Sequence, residues 1–165
     1  MFIFVILQLF KVMNRRRGSK FNLPILFYFV LLTFKVIDNM REEIEILLKR
    51  AGVFKRDAEN DLKNKDFDIC MFHLEQVAQL LIKAKLLEIK GSFQRTHSLR
   101  MLLLELAESW KKEEIKNFIE ENKEVLRDLE RAYISSRYIY EEFFEEEVKR
   151  AFEVVEKLKE MLWKG

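Results

Sequence analysis

The 165-residue chain holds two histidines, His73 and His97. His73 shares a helical side with Gln76 and Lys83, at spacings i, i+3 and i+10. An imidazole, a carboxamide and an ammonium on one side of a helix can grip a polar ligand or exchange a proton with it. Each also has a plainer role: a hydrogen-bonded, half-buried His73, and ordinary surface or interface polarity for Gln76 and Lys83. His97 follows Thr96 at the expected start of a helix, where capping or packing is the plainer role. The least ordinary stretch is Tyr133-Ile134-Ser135-Ser136-Arg137-Tyr138-Ile139-Tyr140, with three tyrosines and an arginine around an expected break between helices. Arg137 and Tyr138 have the chemistry to clamp a phosphate and stack a base. They can equally close one end of a bundle.

Much familiar chemistry is missing from the sequence. It has no Gly-rich phosphate loop, CxxC pair, HExxH or GxSxG. Repeated Glu-x-x-His pairs for a four-helix di-metal site are also lacking. Cys70, His73 and His97 do not stand at ligand-pair spacing, so no metal is expected, and no cofactor. Cys70 is the only cysteine and lies among Ile69, Met71 and Phe72, which reads as a buried thiol. Nothing in this pattern calls for an oxidising compartment, so a cytoplasmic setting is expected.

Composition points to helices. The chain has four Gly and one Pro, too few for many tight turns, while its 22 Glu and 18 Lys are good helix formers. With only four Gln, the balance is thermophile-like, as in many archaeal proteins. The formal charge of +2 is unevenly spread: six of the 30 basic and one of the 28 acidic residues fall in residues 1–39, leaving −3 beyond them. That remainder gives RNA no general electrostatic support.

Residues 1–39 read differently from the rest. An apolar run over residues 1–10 precedes the basic Asn14-Arg15-Arg16-Arg17-Gly18-Ser19-Lys20, and a second apolar run covers Leu23 to Phe34. Neither reaches the roughly 20 residues that span a bilayer as a helix. The order of charge and apolarity is wrong for a signal peptide. A membrane anchor and an extra packed helix are two readings. The favoured one is a start at Met40, because Met40-Arg41-Glu42-Glu43-Ile44 leads directly into an amphipathic helix. No membrane is expected unless residues 1–39 belong to the natural protein.

These polar positions need a scaffold, and residues 40–165 supply one. Apolar periodicity predicts helices over about Met40 to Lys63, Phe67 to Lys90, His97 to Ser109, Glu113 to Ile134 and Phe144 to Trp163. Asp66 and Thr96 are expected N-caps, Gly91 closes the second helix, and Ser135 to Glu142 is the expected last break. The second helix is apolar on most sides, so it is central in the bundle or lies at a dimer interface. The fold class expected is all-α: an antiparallel up-and-down bundle of four long helices and one short one.

Order and spacing together resemble the HEPN domain, a small helical domain of prokaryotes that also occurs at the end of the large chaperone sacsin. The resemblance rests on Asp61-Leu62 closing the first helix, Phe72-His73-Leu74-Glu75-Gln76-Val77-Ala78 followed by Lys83-Ala84, and Thr96-His97-Ser98-Leu99. Ser136-Arg137-Tyr138 matches an Arg-Tyr-Pro turn, with Ile139 in place of the proline. The resemblance implies either ribonuclease activity or partnership with a minimal nucleotidyltransferase in a toxin–antitoxin-like pair. Ribonuclease members place a His after an Arg with four to six residues between them, usually at a homodimer cleft. Here Arg137 is followed at those offsets by Glu142, Phe143 and Phe144, and no histidine follows His97. The expectation is therefore a non-catalytic module that binds a nucleotide or a nucleotidyltransferase. Arg137 and Tyr138 are its first contact candidates; His73, Gln76, Lys83 and His97 are the outer ones. The alternatives are an RNA-cleaving toxin with a degenerate site around Arg137, and a structural dimerisation module.

Overall fold

The computed structural model describes residues 23–138 and 142–163, with side chains except at 23–27, 29 and 136–138. The described residues form six helices and no strand: α1 (Leu23–Asn64), α2 (Phe67–Lys90), α3 (Leu99–Ala107), α4 (Lys112–Glu121), α5 (Lys123–Tyr138) and α6 (Glu145–Trp163). The chain divides into two compact units, Met1–Ile37 and Asp38–Gly165, and every candidate residue lies in the second. Among the described residues no helix is long and apolar enough to cross a membrane.

The centre of the second unit is α2. Its many apolar positions cannot fit one stripe, and the fold covers them on several sides. α2 packs against α3, α5 and α6. Cys70, Met71, Leu74, Ala78, Ile82 and Leu86 are all buried in one continuous core. On the α1 side, the Cys70 thiol donates to the Ala58 carbonyl at 3.2 Å, and burial pushes its pKa up to about 12. The expected buried thiol is what the fold contains. The outer helices bury single stripes: Ile115 and Phe118 from α4, Leu126, Leu129 and Ala132 from α5, and Val148, Ala151, Val155, Leu158 and Leu162 from α6. Emptying one fully buried leucine position, such as Leu129 or Leu102, to alanine costs roughly 2–5 kcal/mol.

The ends of α2 follow from local chemistry. Gly91 takes φ 76°, and its N–H donates to the Leu87 carbonyl at 2.9 Å. That left-handed closure suits glycine. Asp66 occupies the N-cap position, and its carbonyl accepts from Cys70 N at 2.9 Å, but its side chain makes no capping bond.

Four boundaries differ from those expected. α1 begins at Leu23, upstream of Met40, and passes through Gly52 without a break. The cap of α3 is Ser98 and not Thr96: Ser98 Oγ accepts from Met101 N at 3.2 Å, while Thr96 Oγ1 accepts from Ser98 N at 3.1 Å. Ser98 wins because its hydroxyl also donates to Glu130 Oε1 at 3.0 Å, tying α3 to α5. The single helix expected from Glu113 to Ile134 is instead α4 and α5. They meet at Asn122, whose φ of −116° lies outside the helical range. Its side-chain amide donates to the Phe118 carbonyl at 2.8 Å, and its own carbonyl accepts from Leu126 N at 2.9 Å. Asn122 thus closes one helix and opens the next. α5 then continues through Ser135 to Tyr138, into the expected break; Ile139, Tyr140 and Glu141 lie outside the described residues.

Candidate functional site

α2 positions His73, Gln76 and Lys83, but they turn to different partners. His73 Nδ1 lies 2.6 Å from Asp61 Oδ2, across to α1. A carboxylate only accepts, so this bond puts the imidazole proton on Nδ1. Both side chains are largely covered, 20% and 17% exposed. The Phe54 and Phe72 rings lie 5.6 and 5.5 Å from the imidazole, centre to centre.

The row of rings continues to the second histidine. Phe72 stacks on Tyr133 of α5 at 6.4 Å, and Tyr133 stacks on His97 at 4.2 Å with 23° between the planes. The Tyr133 hydroxyl is 3.1 Å from His97 Nε2. Thus His73 and His97, 24 positions apart in sequence, join one aromatic row linking α1, α2, the segment before α3, and α5.

A second array runs along α2 itself. Glu75 is wholly buried. Its two carboxylate oxygens accept from Gln76 Nε2 at 2.5 Å and from Gln79 Nε2 at 2.7 Å. The Gln79 carbonyl oxygen accepts from Lys83 Nζ at 2.7 Å. Lys83 also sits 5.4 Å from the centre of the Phe93 ring, in the segment between α2 and α3. A carboxylate and an ammonium are thereby joined through one carboxamide, over two helical turns.

Burial governs the electrostatics of this ladder. Loss of water raises the Glu75 pKa from 4.5 to about 7; hydrogen bonds from Gln79 and Gln76 and the charge of Lys83 pull it back, while Glu130 adds to the rise. Desolvation lowers the Lys83 pKa, and Glu75 partly restores it. The array can therefore hold or release a proton near neutral pH. It also presents an ammonium next to an aromatic ring, with only one of three N–H donors used by Gln79. It contains no hydroxyl or thiol nucleophile beside a base.

The sequence-derived set is thus divided. Gln76 and Lys83 belong to the ladder, and His73 and His97 to the aromatic row. Arg137 and Tyr138 occupy the last turn of α5, and their side chains lie outside what is described. Glu75 and Gln79 were not among the sequence-derived candidates. Their signal was the i, i+4, i+8 spacing of Glu75, Gln79 and Lys83 on a helix otherwise apolar on most sides. Among the described residues no group of three or more His, Cys, Asp or Glu is placed to hold a metal ion.

The family model described as HEPN domain matches residues 44–164. Comparison with curated proteins and with solved structures gave no match.

Proposed function

The chain belongs to the HEPN domain family, and from that premise we propose that it is a non-catalytic member that binds a nucleotide or a nucleotidyltransferase partner. In this reading it is one half of a toxin–antitoxin-like pair in the cytoplasm. The observation that carries it concerns the two histidines. Neither follows an arginine at the ribonuclease spacing, and each is engaged by a neighbouring side chain, His73 half-buried with Asp61 and His97 at the exposed surface with Tyr133. His73, largely covered and turned to Asp61, is poorly placed for acid–base work on RNA.

Binding falls to groups whose residue types supply donors and rings. Lys83 beside Phe93, and Arg137 with Tyr138 at the end of α5, have types suited to phosphate and base. Gln76 is held by Glu75 and acts from further in. Short connections between successive helices support an antiparallel order for the bundle. A homodimer belongs to this reading through the family alone, because much of the apolar surface of α2 that first argued for one is covered within the chain.

Calorimetry with ATP, joined to a pull-down from the source cell, tests the reading. Heat of binding, or a co-purifying nucleotidyltransferase, is the expected result. Neither heat nor such a partner would sink it.

A further inference from the structure

Residues 91–98 form a strap between α2 and α3. Phe93 on this strap lies under the Lys83 ammonium, 5.4 Å from the ring centre. Gln94 N donates to Glu105 Oε2 at 3.1 Å. His97 stacks on Tyr133. Ser98 Oγ donates to Glu130 Oε1 at 3.0 Å. Two of the groups that hold the strap, Lys83 and Glu130, are also the charges that act on the buried Glu75 carboxyl. We propose that Glu75 is a proton-operated control of this strap, which is fastened while the carboxyl is neutral and loosened when it ionises. This goes beyond the binding reading and does not depend on it.

The surroundings of Glu75 make it such a control. The side chain is wholly buried, and it accepts from two neutral carboxamides, Gln76 and Gln79. A buried carboxyl with neutral partners gives up its proton late. Loss of water places the change near neutrality, with the pKa pushed up to about 7. The charges that face it are Lys83, from its own helix, and Glu130, from α5. The acids that α1 and α3 turn toward α2, Asp61 and Glu105, are paired to His73 and Lys90 instead. α6 turns apolar side chains into the core, among them Val148, Ala151, Val155 and Leu158. Glu130 accepts from neutral donors, Ser98 Oγ and Arg100 N, and so keeps its charge. Arg100, Lys123 and Arg127 line the surface beside Glu130, but they are exposed and screened by water.

One proton then changes both holds on the strap. An ionised carboxylate only accepts, which turns the Gln79 amide toward Glu75 and the Gln79 carbonyl oxygen toward Lys83. The ammonium is drawn to Gln79 and away from the Phe93 ring. The same negative charge repels Glu130 and works against its hold on Ser98. A neutral carboxyl, in contrast, must donate its proton. Gln79 accepts it by turning its amide over, which puts N–H groups opposite the ammonium and leaves Lys83 to the Phe93 ring. Glu130 then caps α3 with no charge facing it. Both effects run the same way: acid fastens the strap and base loosens it. The bond from Gln94 to Glu105 lies outside the ladder and stays as the hinge.

The test is NMR of the isotope-labelled full chain over about two pH units on either side of neutrality. The Glu75 carboxyl, the Gln79 side-chain amide and the backbone amides of Phe93 and Arg100 should titrate with one midpoint. Hydrogen exchange at the Arg100 and Met101 amides, corrected for its intrinsic pH dependence, should quicken severalfold above that midpoint. Glu75→Gln should abolish these changes and leave the strap protected throughout. Glu130→Gln should move the Glu75 midpoint down, because a facing negative charge is lost. Lys83→Met should move it up, because a positive one is lost. Residues that merely pack would not give shifts of opposite sign. His97 is the rival source of a titration, since it lies on the strap and histidines titrate near neutrality. Strap changes that persist in Glu75→Gln and vanish in His97→Gln overturn the proposal. Equal exchange protection at every pH overturns it too. Should Glu75→Gln fail to fold, the other two variants decide, and an unchanged midpoint in both overturns the proposal.

Discussion

Gln79 Nε2 donates to Glu75 Oε1 at 2.7 Å, deep inside α2, and this bond holds a carboxylate that has lost its water. Burial raises the Glu75 pKa from 4.5 to about 7. Between those values the folded chain keeps a proton that the unfolded chain has released. Stability therefore falls as pH rises through this window and stays lower above it. The full effect is roughly 3 kcal/mol. In NMR the Glu75 carboxyl should titrate near pH 7. In urea melts at successive pH values, Glu75→Gln should remove the share of the slope that this group causes. A titration near 4.5 would show the carboxylate to be solvated.

The pair of His73 and Asp61 joins α1 to α2 at 2.6 Å. Removing either partner strands the other in a largely covered site, at roughly 1–3 kcal/mol. His73→Ala and Asp61→Ala should thus each lower the urea midpoint, and the double variant should lose less than the sum. A coupling of about 1 kcal/mol is expected from the cycle. Strict additivity would mean that the two side chains do not act on each other in solution.

The two hydroxyls ahead of α3 should differ in weight. Ser98→Ala removes the bond to Met101 N and the one to Glu130, and should cost about 1–2 kcal/mol. Thr96→Ala removes a single local bond to Ser98 N and should cost less. Thermal melts of the two variants decide the order, and a larger loss at Thr96 would return the cap to that residue.

These residues show where sequence reasoning succeeds and where it stops. α2 could be delimited from sequence because Gly91 and the apolar run are local signals, and local geometry sets them. The split at Asn122 could not. Ile115, Phe118 and Ile119 before it and Leu126 and Leu129 after it stay at helical spacing, so the period runs through the break. Thr96 and Ser98 are both good caps, and the choice between them was made by Glu130, 32 residues downstream of Ser98. Glu75 reads in sequence as one acid in an apolar helix. Its burial, and with it the ladder to Lys83, depends on how α3, α5 and α6 close around α2. Site chemistry was therefore legible as residue types on a helix, while the pairing of those types was set by tertiary contacts.

RNA should survive contact with this protein. Cleavage by a HEPN domain of the ribonuclease kind needs an arginine for phosphate charge and a histidine to move a proton or orient the attacking group. Arg137 is followed by Glu142, Phe143 and Phe144 where that histidine should stand. Phe143 is 2% exposed and packs in the core, and Phe144 cannot carry a proton. Glu142 is the remaining ionisable group, an anion that repels phosphate. Purified protein incubated with cellular RNA should therefore leave it intact, and Arg137→Ala should behave in the same way. Cleavage by the wild type that disappears in Arg137→Ala would establish a degenerate site at the end of α5. Cleavage that is equal in both would point to a contaminant or to a different site.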